Sequence, residues 1–209
     1  NQAILVFDEI ITGFRLGLGG AQEFFNVTPD LATFGKALGN GMPISAIVGK
    51  EQIMKKMSDI FFSFTFGGEN LSLAAAIATI DFLKKYKVPK ILEKNGTYLK
   101  DKVSEIINDS DLDKILTIKG LPCWSMLSIN LPGQEALAVK SFIQQEMIQE
   151  GFLWYGQHNI CYSHTKKEID LLVSAYGRTF AKLAPLLRNN NVGKYIRGKM
   201  IQDIFKVRN

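Results

Sequence analysis

Two residues near the start of this 209-residue chain have the types and the setting to do chemistry together, Asp8 and Lys36. Lys36 lies inside Pro29-Asp-Leu-Ala-Thr-Phe-Gly-Lys-Ala-Leu-Gly-Asn-Gly-Met-Pro43. Gly35, Gly39 and Gly41 surround it, so the backbone can turn tightly there and come close to a ligand. Its apolar neighbours Phe34, Ala37 and Leu38 are expected to bury the amine, which disfavours the charged form and makes a better nucleophile toward an aldehyde. Asp8 closes an apolar run that begins at Ile4. This is the pattern of a buried parallel strand carrying an acid at its C-terminal end, where open α/β sheets bind ligands. A strand-end aspartate followed by a glycine-flanked lysine suits pyridoxal phosphate (PLP). The amine forms a Schiff base with the aldehyde, and the carboxylate pairs with the protonated pyridine nitrogen so that the ring can accept electrons.

Other residues could complete such a site. Ile10 stands two positions beyond Asp8, so on a strand it shares the same face and can press against a flat ring. Thr65, in Phe64-Thr-Phe-Gly-Gly68, precedes a helical pattern. A hydroxyl and glycine N–H groups just before a helix make an anion site, and a plain helix cap is the alternative use. Glu9 is either a structural carboxylate or part of the site, and Arg15 either a substrate clamp or a salt-bridge partner. Gly17-Leu-Gly-Gly20 does not follow the dinucleotide-binding fingerprint. His158 and His164, the two histidines, have no nucleophile motif beside them and read as core or capping residues.

The ordered motifs Phe7-Asp-Glu-Ile-Ile-Thr-Gly-Phe-Arg15, Gly20-Ala-Gln22, Val27-Thr-Pro-Asp-Leu31 and Lys36-Ala-Leu-Gly-Asn-Gly-Met-Pro43 closely resemble the class III aminotransferases. Within them the chain looks most like the glutamate-1-semialdehyde 2,1-aminomutase group. The match continues through Phe64-Thr-Phe-Gly-Gly68 and, more loosely, through Gly156-Gln-His-Asn-Ile160 and Ser163-His-Thr165. The resemblance implies PLP as cofactor, Lys36 as the Schiff-base lysine, Asp8 on the ring nitrogen and Ile10 against the ring. It also implies a homodimer in which Thr65 reaches the phosphate of the partner's cofactor, and an amino acid, oxo acid or amino aldehyde as substrate. Amino transfer within one molecule and transfer between two substrates both fit. One departure bears on that choice: the aminomutases commonly have Gly-Thr-Leu-Ser-Gly-Asn-Pro where this chain has Phe64-Thr-Phe-Gly-Gly-Glu-Asn70.

The elements that must position these residues give an α/β protein. The resemblance implies the C-terminal part of a fold type I, aspartate aminotransferase-like large domain over residues 1–86. A small α+β domain is expected over 87–184, and a basic extension over 185–209. Apolar periodicity predicts a strand over 44–49 and helices over 51–57, 69–86, 89–108, 134–150 and 166–183, with strands over 115–118 and 124–131. The helix over 69–86 is expected to bury Leu71, Ala74, Ala75, Ala78, Ile80 and Leu83. Thr165 and Glu168 have the spacing of a capping box.

The net charge of +5 resides in residues 185–209, where six basic residues face only Asp203. That tail reads as a solvated extension, with Ile201, Ile204, Phe205 and Val207 available to dock on the body, rather than as a nucleic-acid arm. Cys123 and Cys161 make neither a disulfide framework nor a metal-ligand spacing, and a cytoplasmic setting is expected, with no metal and no membrane span. The chain opens on a strand that needs neighbours, so it is read as the later part of a longer enzyme, inactive alone. The different-class alternative is a non-catalytic α/β binding module with a basic tail.

Overall fold

The opening apolar run forms strand β1 (Val6–Asp8), which pairs in parallel with β2 (Leu31–Phe34); Val6 stands opposite Leu31 and Asp8 opposite Thr33. Strand β3 (Ala46–Gly49) pairs antiparallel on the other side of β2, with Ala32 opposite Val48. The segment leading to Lys36 is therefore itself a strand, which the sequence pattern did not single out. Helix α1 (Gly20–Phe25) lies between β1 and β2, and α2 (Glu51–Met54) passes into a 3-10 turn over Lys55–Asp59. Helix α3 (Asn70–Lys85) follows an irregular stretch of residues 60–69.

The structure, a computed structural model, describes residues 3–202 in two units that divide between Glu93 and Lys94. That division falls inside helix α4 (Val88–Asp109), whereas the sequence boundary at residues 86–87 precedes the helix. In the first unit the apolar strands are not covered by the described residues. Val6 is 51% exposed, and Ile4, Leu5, Ile47 and Val48 are likewise open. Three short strands present two faces and cannot shield both. Helix α3 shows the same excess. Ser72 and Ala76 are its buried positions, with Ala75, Ile80 and Leu83 half-buried, while Leu71, Ala74 and Ala78 are exposed beside Ile77. The expected burial of Leu71, Ala74 and Ala78 is thus corrected: the helix has two apolar faces, and only one meets its own unit.

The second unit covers itself better. Strands β4 (Leu116–Leu121), β5 (Trp124–Ile129) and β6 (Gln157–Asn159) form an antiparallel sheet in that order. With it belong α5 (Gly133–Gln149) and α6 (Lys166–Arg188). Leu99, Val103, Leu116, Ile143, Met147, Tyr176, Phe180 and Leu183 are almost free of solvent. Each such side chain contributes about 1.5–3 kcal/mol by leaving water. The capping box is present at the start of α6, between Thr165 and Glu168.

The basic tail is not a separate solvated extension over its described part. Helix α6 runs on to Arg188, and the following residues lie along α5. Gln145 exchanges hydrogen bonds with Tyr195 O and Arg197 N, and the Ile201 N–H reaches Ser141 Oγ at 2.8 Å. The buried Glu146 carboxylate draws in Lys182 at 2.7 Å and Arg197 at 3.4 Å. Burial opposes its ionisation, but Lys182, Gln145 and Arg197 outweigh that and hold its carboxyl below the usual range. Of the apolar tail residues expected to dock, Ile201 is half-buried; Ile204, Phe205 and Val207 lie outside the described residues. Among the described residues no helix is long and apolar enough to cross a membrane.

Candidate active site

Parallel pairing brings the two chemical residues to the same end of the first sheet, because β1 ends at Asp8 and β2 ends two residues before Lys36. Asp8 is exposed, and its carboxylate is oriented by two donors that both meet Oδ1: the Ile10 N–H at 3.1 Å and the Thr33 hydroxyl at 3.2 Å. Thr33 was not singled out from the sequence. The signal that finds it is the register of β1 on β2, which a single sequence does not display.

Lys36 opens a 3-10 turn, Lys36–Leu38, that packs against α3. Its φ of +42° is in the left-handed region, a conformation that costs a non-glycine residue about 1–2 kcal/mol. Strain of this kind persists where surrounding structure imposes it and gathers at functional sites. The expected burial of the amine is not met: Lys36 is exposed. Leu38 turns into the unit's interior, and Phe34 packs on Phe14 with ring centroids 5.7 Å apart. The three glycines also divide. A Cβ on Gly39 would stand 2.5 Å from Ile44 Cγ2, and Gly41 has a φ of +109°, so both positions need glycine. Gly35 is extended, and a Cβ there would make ordinary contact with Ile10 at 3.7 Å.

Ile10 reaches the site by a different route from the one expected. Strand β1 stops at Asp8, so strand alternation does not set its direction; a turn over residues 10–15 does. The half-buried Ile10 side chain lies beside Gly35, next to Lys36. Glu9 fixes that turn. It is 1% exposed and accepts hydrogen bonds from the Thr12 hydroxyl and from the N–H groups of Ala21 at 2.9 Å and Gln22 at 3.0 Å. Its own N–H continues the ladder to Thr33 O at 2.9 Å. Gly20, with φ +72°, has no room for a Cβ, which would stand 2.6 Å from the Glu9 carboxylate. Glu9 is therefore a structural clamp. Arg15 is half-buried in the same loop.

Thr65 is exposed in a turn that the Gly67 N–H closes on Phe64 O at 3.1 Å. The helix-cap alternative for it is corrected by the structure. The N-terminus of α3 is capped by Glu69, which accepts from Leu71 N at 2.6 Å and Ser72 N at 2.8 Å. The Ser72 hydroxyl and these N–H groups hold its carboxyl below the usual range. Thr65 is thus not the cap, and the helix end already holds a negative charge of its own. Around Thr65 the segment from Ile60 to Phe66 exposes Ile60, Phe61, Phe62, Phe64 and Phe66, with Phe61 95% exposed.

Both histidines lie in the second unit. His158 is buried between the Ser125 hydroxyl at 3.0 Å and Tyr176 Oη at 2.6 Å, and burial lowers its pKa to about 4. His164 Nδ1 accepts the Cys161 N–H at 3.2 Å, a turn cap. Among the described residues no group of His, Cys, Asp and Glu could hold a metal ion.

Comparison with known proteins gives a consistent picture. A family model described as aminotransferase class-III matches residues 1–169. A glutamate-1-semialdehyde 2,1-aminomutase of Methanosarcina acetivorans is 37% identical over 84% of this chain and 44% of its own length. A 3-aminobutyryl-CoA aminotransferase of Cloacimonas acidaminovorans is 35% identical over 88% of this chain and 45% of its own. The chain thus spans less than half the length of these relatives. Among solved structures, a transaminase with PLP bound superposes with a TM-score of 0.80 at 19% identity, covering 89% of this chain and 46% of that one. The fold is therefore that of the PLP-dependent transaminases.

Proposed function

This chain belongs to the class III aminotransferases, and on that premise we propose that the full-length protein moves an amino group with PLP, held by Lys36. One observation carries the reading. The carboxyl ends of two paired parallel strands bring to one end of the sheet an exposed carboxylate, held at one oxygen by two donors, and a lysine in a strained left-handed turn. The donor set fits PLP at both points. Asp8 Oδ2 is an acceptor for a protonated pyridine nitrogen, and Lys36 Nζ is an amine for the aldehyde carbon.

Bound there, PLP supplies an aldehyde that captures amines and a ring that takes up an electron pair. Asp8 keeps the proton on the ring nitrogen through a charge-assisted hydrogen bond. Ile10 offers an apolar surface to one face of the ring. Lys36 Nζ would hold the aldehyde and, as a general base and acid, would carry the proton to and from the substrate carbon. Thr65 gives its hydroxyl to the phosphate of the cofactor in a second copy. The exposed aromatic segment around it and the open face of α3 support a homodimer, since contiguous apolar surface of this kind marks an interface. Relatives more than twice as long, and strands left open on their apolar sides, support further polypeptide completing the site; the cytoplasm is the proposed location.

An amino acid, oxo acid or amino aldehyde is the proposed substrate class. The two relatives represent its two forms, transfer within one molecule and transfer between two. The Phe64-Thr-Phe-Gly-Gly-Glu-Asn70 segment favours transfer between two substrates; turnover of a single substrate without an acceptor would decide for the other form. The test of the whole reading is borohydride reduction of the PLP-loaded full-length protein followed by peptide mapping. The expected result is a pyridoxyl group on Lys36, with neither adduct nor turnover in Lys36→Ala. Turnover retained in that variant sinks the assignment.

A further inference from the structure

Thr33 lies directly opposite Asp8 in the parallel pair β1–β2. Side chains of paired strand residues project to the same face, and alternation sends their neighbours to the other. Val6, Asp8, Leu31 and Thr33 therefore share the face on which Asp8 is open, while Ala32, almost fully buried, belongs to the opposite one. On the open face the Thr33 hydroxyl donates to Asp8 Oδ1 at 3.2 Å, and the Ile10 N–H donates to the same oxygen at 3.1 Å. Two donors converging on one carboxylate oxygen fix the rotation of the carboxyl group about its last bond. They also leave the second oxygen a defined direction.

The backbone around this pair is held from both sides. The Glu9 N–H bonds Thr33 O at 2.9 Å, and the Glu9 carboxylate locks the turn that presents the Ile10 N–H. Threonine at this place would be explained by strand propensity alone if its hydroxyl met solvent or its own backbone. It meets the carboxylate instead.

We propose that Thr33 is a positioning residue for the cofactor's ring nitrogen, acting through Asp8: its hydroxyl occupies Oδ1 and so directs Oδ2 to the pyridinium. The inference rests on the PLP reading above and adds a residue to it. A hydrogen bond to a charged group is worth about a factor of ten or more in an equilibrium constant, which sets the expected effect. Valine matches threonine in shape and branching but removes the donor, and serine keeps the donor.

The experiment uses the full-length apo-protein and two probes, PLP and its analogue with C–H in place of the ring nitrogen. Dissociation constants are measured for wild type, Thr33→Val, Thr33→Ser, Asp8→Asn and the Thr33→Val/Asp8→Asn double variant. Thr33→Val is expected to weaken PLP roughly tenfold, to leave the analogue unchanged, and to cost nothing further in the Asp8→Asn background; Thr33→Ser is expected to stay near wild type. If wild type prefers PLP and Thr33→Val keeps that preference, the cofactor reading stands and the role of Thr33 is overturned. Equal weakening of both probes marks Thr33 as merely structural and overturns it too. If wild type binds both probes alike, or neither, the ring-nitrogen contact is absent and the inference falls together with the role given to Asp8.

Discussion

Lowering the pH should destabilise the second unit through one residue, His158. The ring sits in a chain of hydrogen bonds: Trp154 Nε1–H donates to Tyr176 Oη, Tyr176 Oη bonds His158 Nε2, and His158 Nδ1 bonds Ser125 Oγ. Burial pushes the Tyr176 hydroxyl up, so it stays a phenol and a donor. Burial also lowers His158 from 6.5 to about 4. Since the folded value lies below the unfolded one, the stability contributed by the neutral ring is fully present above pH 6.5. It is withdrawn as pH falls toward 4, because the unfolded chain takes up a proton that the folded chain refuses. At about 1.4 kcal/mol per pH unit the window amounts to roughly 3 kcal/mol. About 2 kcal/mol of that falls between pH 7 and 4.5. Urea unfolding followed by the fluorescence of Trp124 and Trp154, the chain's two tryptophans, measures it at intervals across this range. His158→Gln should begin less stable at pH 7, having lost the fitted ring, yet change little down to pH 4.5. Equal pH slopes in the two proteins would refute the argument and return His158 to the groups able to carry protons near neutrality.

Asp8→Asn should retain the reducible adduct on Lys36 but slow amino transfer by about a hundredfold or more, the usual scale for a lost proton-handling group; unchanged turnover would remove Asp8 from the mechanism. Lys36→Gly should be more stable than Lys36→Ala by about 1 kcal/mol in thermal unfolding, because glycine relieves the left-handed strain and alanine does not. Gly20→Ala should destabilise the first unit by about 1–3 kcal/mol, since the added Cβ meets the Glu9 carboxylate and the φ is unfavourable; an unchanged melting temperature would show that the Glu9 clamp is loose. Replacing Phe61 and Phe62 by Ser should shift the full-length protein from dimer toward monomer in sedimentation, and an unaltered dimer would exclude this segment from the interface.

The sequence by itself determined the family and most of the elements. Residue types and their order carry that information, as with a strand-end aspartate, a lysine among glycines, and helical periodicity over 69–86, 89–108 and 166–183, where helices stand over Asn70–Lys85, Val88–Asp109 and Lys166–Arg188. It also determined the capping box at Thr165, a contact between residues three positions apart. The tertiary structure decided what depends on which backbones lie side by side. Strand β2 is four residues long and flanked by a turn, too short for a pattern to announce it, and only its register on β1 joins Thr33 to Asp8. The same holds for Glu9, whose partners are twelve and thirteen residues away and whose role rests on a folded loop. It holds for Thr65 as well, displaced as cap by Glu69 because the side chain nearer the first free N–H groups wins them. Burial of Lys36 was inferred from its neighbours in sequence. In space Phe34 packs on Phe14 and Leu38 turns inward, so apolar neighbours along the chain left the amine in the open.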